Sequence, residues 1–187
     1  RYFLMREIAF GADGDFAHRA FLLRYNAELA NDLGNLVHRS LSMTAKWLGG
    51  GGPTLGELNP EDEALAATAN RVVREFDASL SAMQYKTALG HLLELVGASN
   101  KYIDTQEPWA LNREGKTERL ATVMRLVLET CRISGSLLMA FCPNKSTELL
   151  RRLGAQTPLL SDDQLGIVAQ LDQLNEGGEL VVGEPLF

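Results

Sequence analysis

Residues 117–141, TERLATVMRLVLETCRISGSLLMAF, constrain the fold of this chain more than any other stretch. Leu120, Val123, Met124, Val127, Leu128, Cys131, Leu137, Leu138 and Phe141 spread over much of a helical circumference instead of forming one stripe. A helix of that kind cannot lie on a surface. It needs apolar neighbours on several sides, so the rest of the chain must supply helices that surround it.

The sequence has suitable candidates. From Phe16 to Trp47 apolar residues recur at helical spacing, through Phe21, Leu22, Tyr25, Leu29, Leu33, Leu36 and Met43. GADGD precedes this run, and Asp13 or Asp15 is the expected cap. GGGGP, residues 49–53, ends it as a flexible loop. Asn59-Pro60-Glu61-Asp62-Glu63 is a helix start, with an asparagine cap, a first-turn proline and first-turn acids. That helix carries Leu65, Val72, Val73, Phe76 and Leu80, and another runs from about Gln84 to Asp104. NREGKTE breaks the chain before the long apolar helix, and Pro143 stops that helix. NKSTELLRRLG reads as a short helix ended by Gly154, SDDQLGIVAQLDQL as a further one, and GGELVVGEPLF as a loop or extended tail. Leu and Ala are abundant and β-branched residues sparse. The expected fold class is all-α, an up-and-down bundle of about five main helices with short connections. RYFLMREIAF starts on a dense apolar cluster with no cap before it, as if cut from a larger element.

The net charge of −6 argues against a chain that coats nucleic acid non-specifically, and no DNA partner is expected. A local site remains open, because the field depends on where charges lie. Cys131 and Cys142 sit in apolar surroundings and read as small hydrophobes. His18, His38 and His91 read as scattered, with no cysteine or carboxylate at ligand spacing, so no metal site is expected. The longest apolar run, LLMAFC, is too short for a membrane span, and a cytoplasmic address is expected.

One polar face is unusual. At 100° per residue, Asn31, Asn35, His38, Arg39, Ser42 and Lys46 share an arc opposite Leu29, Leu33, Leu36, Met43 and Trp47. That arc contains no carboxylate, although the chain is acidic; Asp32 lies just outside it. Asn35 and Arg39 are an i, i+4 pair. The face reads either as a solvated surface or as a recognition surface, since Asn and Arg together can match the Watson–Crick edge of an unpaired base. A base held so also needs a ring to lie against. NKYIDTQEPW, residues 100–109, places Trp109 just past a helix stop, and the ring reads either as packing or as that platform.

Taken in order, RYFLMREIAFGADGDF, NAELANDLGNLVHRSLSM, NKYIDTQEPW, AFCPN and RRLG resemble the C-terminal portion of methionyl-tRNA synthetase, a class I enzyme. NDLGNL with a nearby arginine is shared with related class I synthetases, whereas its combination with NKY and PW points to the methionine enzyme. The resemblance implies an anticodon-binding bundle. The family's anticodon-reading asparagine and arginine match Asn35 and Arg39, and its stacking tryptophan matches Trp109. Lys46 stands where the family often has a basic residue, and Asn31 and His38 are accessory candidates. The implied partners are tRNA(Met), with a CAU anticodon whose first base meets Asn35, Arg39 and Trp109, and the catalytic domain of the same polypeptide. The implied division is a connector over 1–13, the bundle over 14–160, and a helix and tail over 161–187. HIGH and KMSKS signatures do not occur in this chain, so no catalytic residue is expected in it; ATP and methionine would bind the catalytic domain. The P-x-x-P pattern expected after the long helix stands here as FCPN. Two alternatives stay open: the anticodon domain of another class I synthetase, and a helical interaction module without RNA function.

Overall fold

A computed structural model describes residues 1–155, apart from 9, 10, 12 and 15, and residues 173–187. The helix expected over 161–174 falls almost wholly outside the described residues. So does Asp15. The centre of the fold is α7, Thr117–Leu138, whose side chains are buried almost without interruption from Leu120 onward. Around it pack α3 (Asn35–Leu48), α4 (Pro60–Ser81), α5 (Tyr85–Gln106), α6 (Pro108–Arg113) and α8 (Pro143–Arg152). The expected all-α bundle is therefore what the chain forms. No helix among the described residues is long and apolar enough to cross a membrane.

Local chemistry explains most of the boundaries. Asn59 accepts the Asp62 N–H at 2.9 Å, while Asp62 accepts the Asn59 N–H at 3.0 Å, so α4 starts on a reciprocal capping box. Gly154 closes α8 at φ 64°; its N–H reaches the Arg151 carbonyl, and that of Ala155 reaches the Leu150 carbonyl, which also accepts from Leu153. Pro143 does more than stop the central helix. α7 ends at Leu138, and the proline opens α8 from its first turn.

Three expectations need correction. The first concerns the cap at GADGD. α2, His18–Arg24, begins behind Ala17, which makes no side-chain capping bond, so Asp13 is too far upstream to act. The second concerns the run from Phe16 to Trp47. It is continuous from α2 into α3, but Tyr25–Gly34 between them is π-helical, and the Asn35 N–H bonds five residues back to the Ala30 carbonyl. A projection at 100° per residue therefore fails upstream of Asn35. The buried stripe of α3 is Leu36, Val37, Ser40, Leu41 and Thr44, with Ser40 and Thr44 bonding back to the carbonyls of Leu36 and Ser40. Met43 and Trp47 are only half-buried.

The third concerns GGGGP, which is held, not loose. Gly52 donates to the Gly178 carbonyl at 2.8 Å and accepts from the Gly177 N–H at 2.9 Å. The C-terminal tail thus lies on the glycine run, and Gly51 and Glu179 form an antiparallel bridge. A Cβ at Gly52 would stand 2.2 Å from the Asn175 carbonyl oxygen, a backbone atom that cannot swing away. Gly52→Ala is expected to cost about 1–3 kcal/mol, as overpacking does, read as a lowered midpoint in urea unfolding.

Beneath the tail, α7 buries three charged side chains that its apolar sequence conceals. Arg125 donates to the carbonyls of Pro53 and Leu174, Glu129 accepts the Leu174 N–H at 2.7 Å, and Arg132 donates to Glu129 at 2.6 Å. Arg125 and Glu129 thereby match backbone groups of an irregular segment that has no ladder of its own, and Arg132 pairs with Glu129. Cys131 and Cys142 are free thiols; burial raises both, Cys131 to about 12.

Candidate nucleic-acid interface

α3 buries one side and exposes the other. Asn35, His38 and Lys46 are exposed and Arg39 is half-buried, so these four do share an outward face. Asn31 is also exposed, but it lies in the π-helical segment and leaves the α-helical projection that placed it beside Asn35.

Arg39 is not free on that face. Its Nη2 donates to the Asn100 side-chain oxygen at 2.9 Å and to the Asn100 carbonyl at 3.4 Å. The Asn100 amide nitrogen in turn donates to the Asp32 carbonyl at 3.2 Å, which fixes the way the amide faces. Nη1 lies 3.4 Å from the Asp104 carboxylate, a long and exposed contact. Nε is buried without an acceptor. The guanidinium is therefore oriented by α5 while some of its donors remain unused. The arc on α3 is free of acids, but the fold sets Asp104 opposite Arg39, a neighbour that one helix considered alone does not reveal.

Trp109 is 42% exposed. α5 continues to Gln106, Glu107 turns left-handed at φ 44°, and Pro108, buried, starts α6 with Trp109 in its first turn. The ring thus stands on a short helix, not in a loop. Asp104 and Trp109 are five residues apart, which limits their Cα separation to about 18 Å even for extended chain. Arg113, exposed, is the i+4 neighbour of Trp109 on α6. Asn100, Asp104 and Arg113 are the site neighbours that the sequence reading missed. The spacing in WALNR was the available signal for the last.

The end of α5 is held from below. Asp62 is fully buried and accepts from Tyr102 Oη at 2.5 Å and from both Arg119 Nη atoms at 2.5 and 2.8 Å. Arg119 also donates to Gln106 at 2.6 Å, in the last residue of α5. Burial pushes the Asp62 carboxyl up, but the bonds from Arg119, Tyr102 and the Asn59 N–H outweigh it and leave the group below its ordinary value. Tyr102 is pushed the other way, by burial and by Asp62.

One histidine does meet carboxylates. His91 Nδ1 lies 3.3 Å from Glu75 and 4.0 Å from Glu94, and Arg71 bridges the same two acids. Glu94 is the i+3 neighbour of His91, a ligand spacing that the sequence reading overlooked. Arg71 links the two acids across α4 and α5, and Glu75, His91 and Glu94 each offer a ligand atom within 4.8 Å of the others.

Residues 52–187 match the family described as the anticodon binding domain of methionyl tRNA ligase, and residues 1–41 match class I (M) tRNA synthetases. The chain is 41% identical over 190 residues to a methionine–tRNA ligase of Listeria innocua, covering all of this chain and 28% of that protein. It is 37% identical over 188 residues to one of Caldanaerobacter subterraneus, covering 29% of it. The apo structure of Mycobacterium tuberculosis methionyl-tRNA synthetase superimposes with a TM-score of 0.88 at 34% identity, over all of this chain and 37% of that one. The chain thus spans well under half the length of these relatives.

Proposed function

The chain belongs to the methionyl-tRNA synthetase family as its anticodon-binding part, and from that premise we propose that it reads the CAU anticodon of tRNA(Met). The observation that carries this reading is Arg39, clamped through Nη2 by Asn100 while Nη1 keeps only a long, exposed contact with Asp104, on the same outward face as Asn35. Cytosine presents two acceptors and one donor on its Watson–Crick edge. Arg39 supplies donors and the Asn35 amide supplies both kinds. An extruded base stacks on Trp109. Lys46 meets backbone phosphate, and Asn31 and His38 are accessory contacts; the net charge of −6 keeps non-specific binding weak.

In the longer ligase this part selects the tRNA, while the catalytic domain of the same polypeptide binds ATP and methionine and carries out the transfer in the cytoplasm. The chain itself contributes no catalytic residue to that chemistry.

The test is binding of anticodon stem-loops that differ only at the first anticodon base. Arg39→Ala is expected to weaken the CAU stem-loop by about 1.5–3 kcal/mol, the range for hydrogen bonds to a charged group, and to flatten the preference for cytosine over uracil. Unchanged discrimination in Arg39→Ala and in Asn35→Ala would remove both residues from the site.

A further inference from the structure

Glu28 is the one carboxylate of the π-helical segment that faces inward. Its side chain is 13% exposed and accepts from three partners: Tyr2 Oη at 2.7 Å, Arg6 Nε at 3.2 Å and Arg24 Nη1 at 2.9 Å. Tyr2 and Arg6 belong to α1, Tyr2–Glu7, and Arg24 to α2. Asp32, the other acid of the segment, is exposed.

The π-helical winding explains this placement. Glu28 and Asn35 are seven residues apart. In an unbroken α-helix that is two turns, and both side chains would emerge on one face. A carboxylate would then sit beside the Asn35/Arg39 pair. Bonding over five residues adds most of a residue to each turn, which turns Glu28 away from Asn35 by roughly a third of a revolution. The same rotation delivers the carboxylate to α1. Gly34 suits the wide turn, since a Cβ there would stand 3.0 Å from the Leu29 carbonyl. Apolar packing alone does not fix this junction. A cavity of about 220 Å³ remains beside it, lined in part by Tyr2, Phe3, Tyr25, Leu29 and Phe187.

We propose that Glu28 is a positioning residue that sets the orientation of the anticodon-reading helix α3 relative to α1, and so couples anticodon engagement to the catalytic domain. The proposal rests on the anticodon-reading function above. α1, Glu28 and the start of α3 all lie within residues 1–41, the part matched to class I (M) synthetases, and α3 leads from there to α4–α8, which lie within residues 52–187. Glu28 ties α1 to the run that leads into α3 through three donors, beside the separate ion pair of Glu7 with Arg24. Its loss leaves each part able to work and lets their relative orientation drift, and small misplacements are costly in rate.

The experiment compares Glu28→Gln, which keeps shape and removes charge, with the unsubstituted sequence. In the full-length ligase carrying this segment, tRNA charging is expected to fall about tenfold in kcat, with KM for tRNA changed less than about threefold. Methionine-dependent ATP–pyrophosphate exchange should be unchanged. In the 187-residue chain, binding of the CAU stem-loop should stay within about twofold, and Glu28→Asp should restore much of the charging rate. Charging within twofold of the parent would overturn the proposal. So would a loss of charging matched by an equal loss of exchange or of stem-loop binding, since Glu28 would then act only on stability. If the unsubstituted chain fails to bind the stem-loop, the anticodon reading falls, while the split between charging and exchange still decides the role of Glu28.

Discussion

Asp62→Asn is expected to destabilise the bundle by about 3–5 kcal/mol, the range found when one partner of a buried ion pair is removed. The carboxylate is fully buried beneath Arg119, Tyr102 and the first turn of α4. Asparagine keeps the size, but it offers one acceptor oxygen where the carboxylate offers two. Arg119 would keep its charge, with no anion left to meet it, only the asparagine amide oxygen and Gln106. Chemical denaturation at neutral pH measures the loss. An effect below about 1 kcal/mol would show that Arg119 is well enough solvated to do without Asp62. The pH dependence provides a second check. Asp62 is depressed below the ordinary carboxylate range, so its contribution is complete above the unfolded value, near pH 3.9. It declines as pH falls through the lower folded value. The gap in stability between parent and variant should therefore be constant from neutrality to about pH 5 and narrow at lower pH.

Trp109→Ala is expected to weaken binding of the CAU stem-loop by about 1–3 kcal/mol, the measured span for one base stacked on an aromatic ring. A stacking platform is indifferent to base identity, so all four bases at the first anticodon position should lose affinity alike. Discrimination among them should survive, because it rests with the polar edge contacts of Arg39 and Asn35. Trp109→Phe should recover part of the loss. Stability should change much less than for Asp62→Asn, since the ring is 42% exposed. Fluorescence titration of the stem-loop, with circular dichroism as the control on folding, gives both numbers. Unchanged affinity in Trp109→Ala would sink the stacking role. A selective loss for cytosine would mean that the ring contributes to readout.

The two experiments address different parts of one construction. The Asp62–Arg119–Gln106 chain pins the end of α5, and α6 starts immediately after it with Trp109 in its first turn. Trp109 depends on this support for its position, so an Asp62 variant that remains folded should also bind the stem-loop less tightly.

Much of this was legible from residues. The circumferential apolar pattern of 117–141 requires a surrounded helix, because no other arrangement hides it from water. The Asn59-Pro60 start and the Gly154 end follow from local backbone chemistry, which neighbours in sequence are enough to specify. The outward display of Asn35, His38, Arg39 and Lys46 follows from helical periodicity alone. The anchoring of GGGGP, the burial of Arg125, Glu129 and Arg132, and the pairing of Arg39 with Asn100 were not legible. Apart from the Glu129–Arg132 pair within α7, these join groups at least 45 residues apart, and no local pattern marks such a pair.

The sequence by itself thus determined the long helices, the outward face of α3 and the residue types available for recognition, because these depend on periodicity and on chemistry within a turn. Only the tertiary structure decided the direction of Glu28, the orientation of Arg39 and the stand on which Trp109 is raised. Those depend on helical phase and on contacts between distant segments. A winding change such as that at Tyr25–Gly34 shifts phase with little trace in composition, since the same apolar and polar residues can satisfy either bonding pattern.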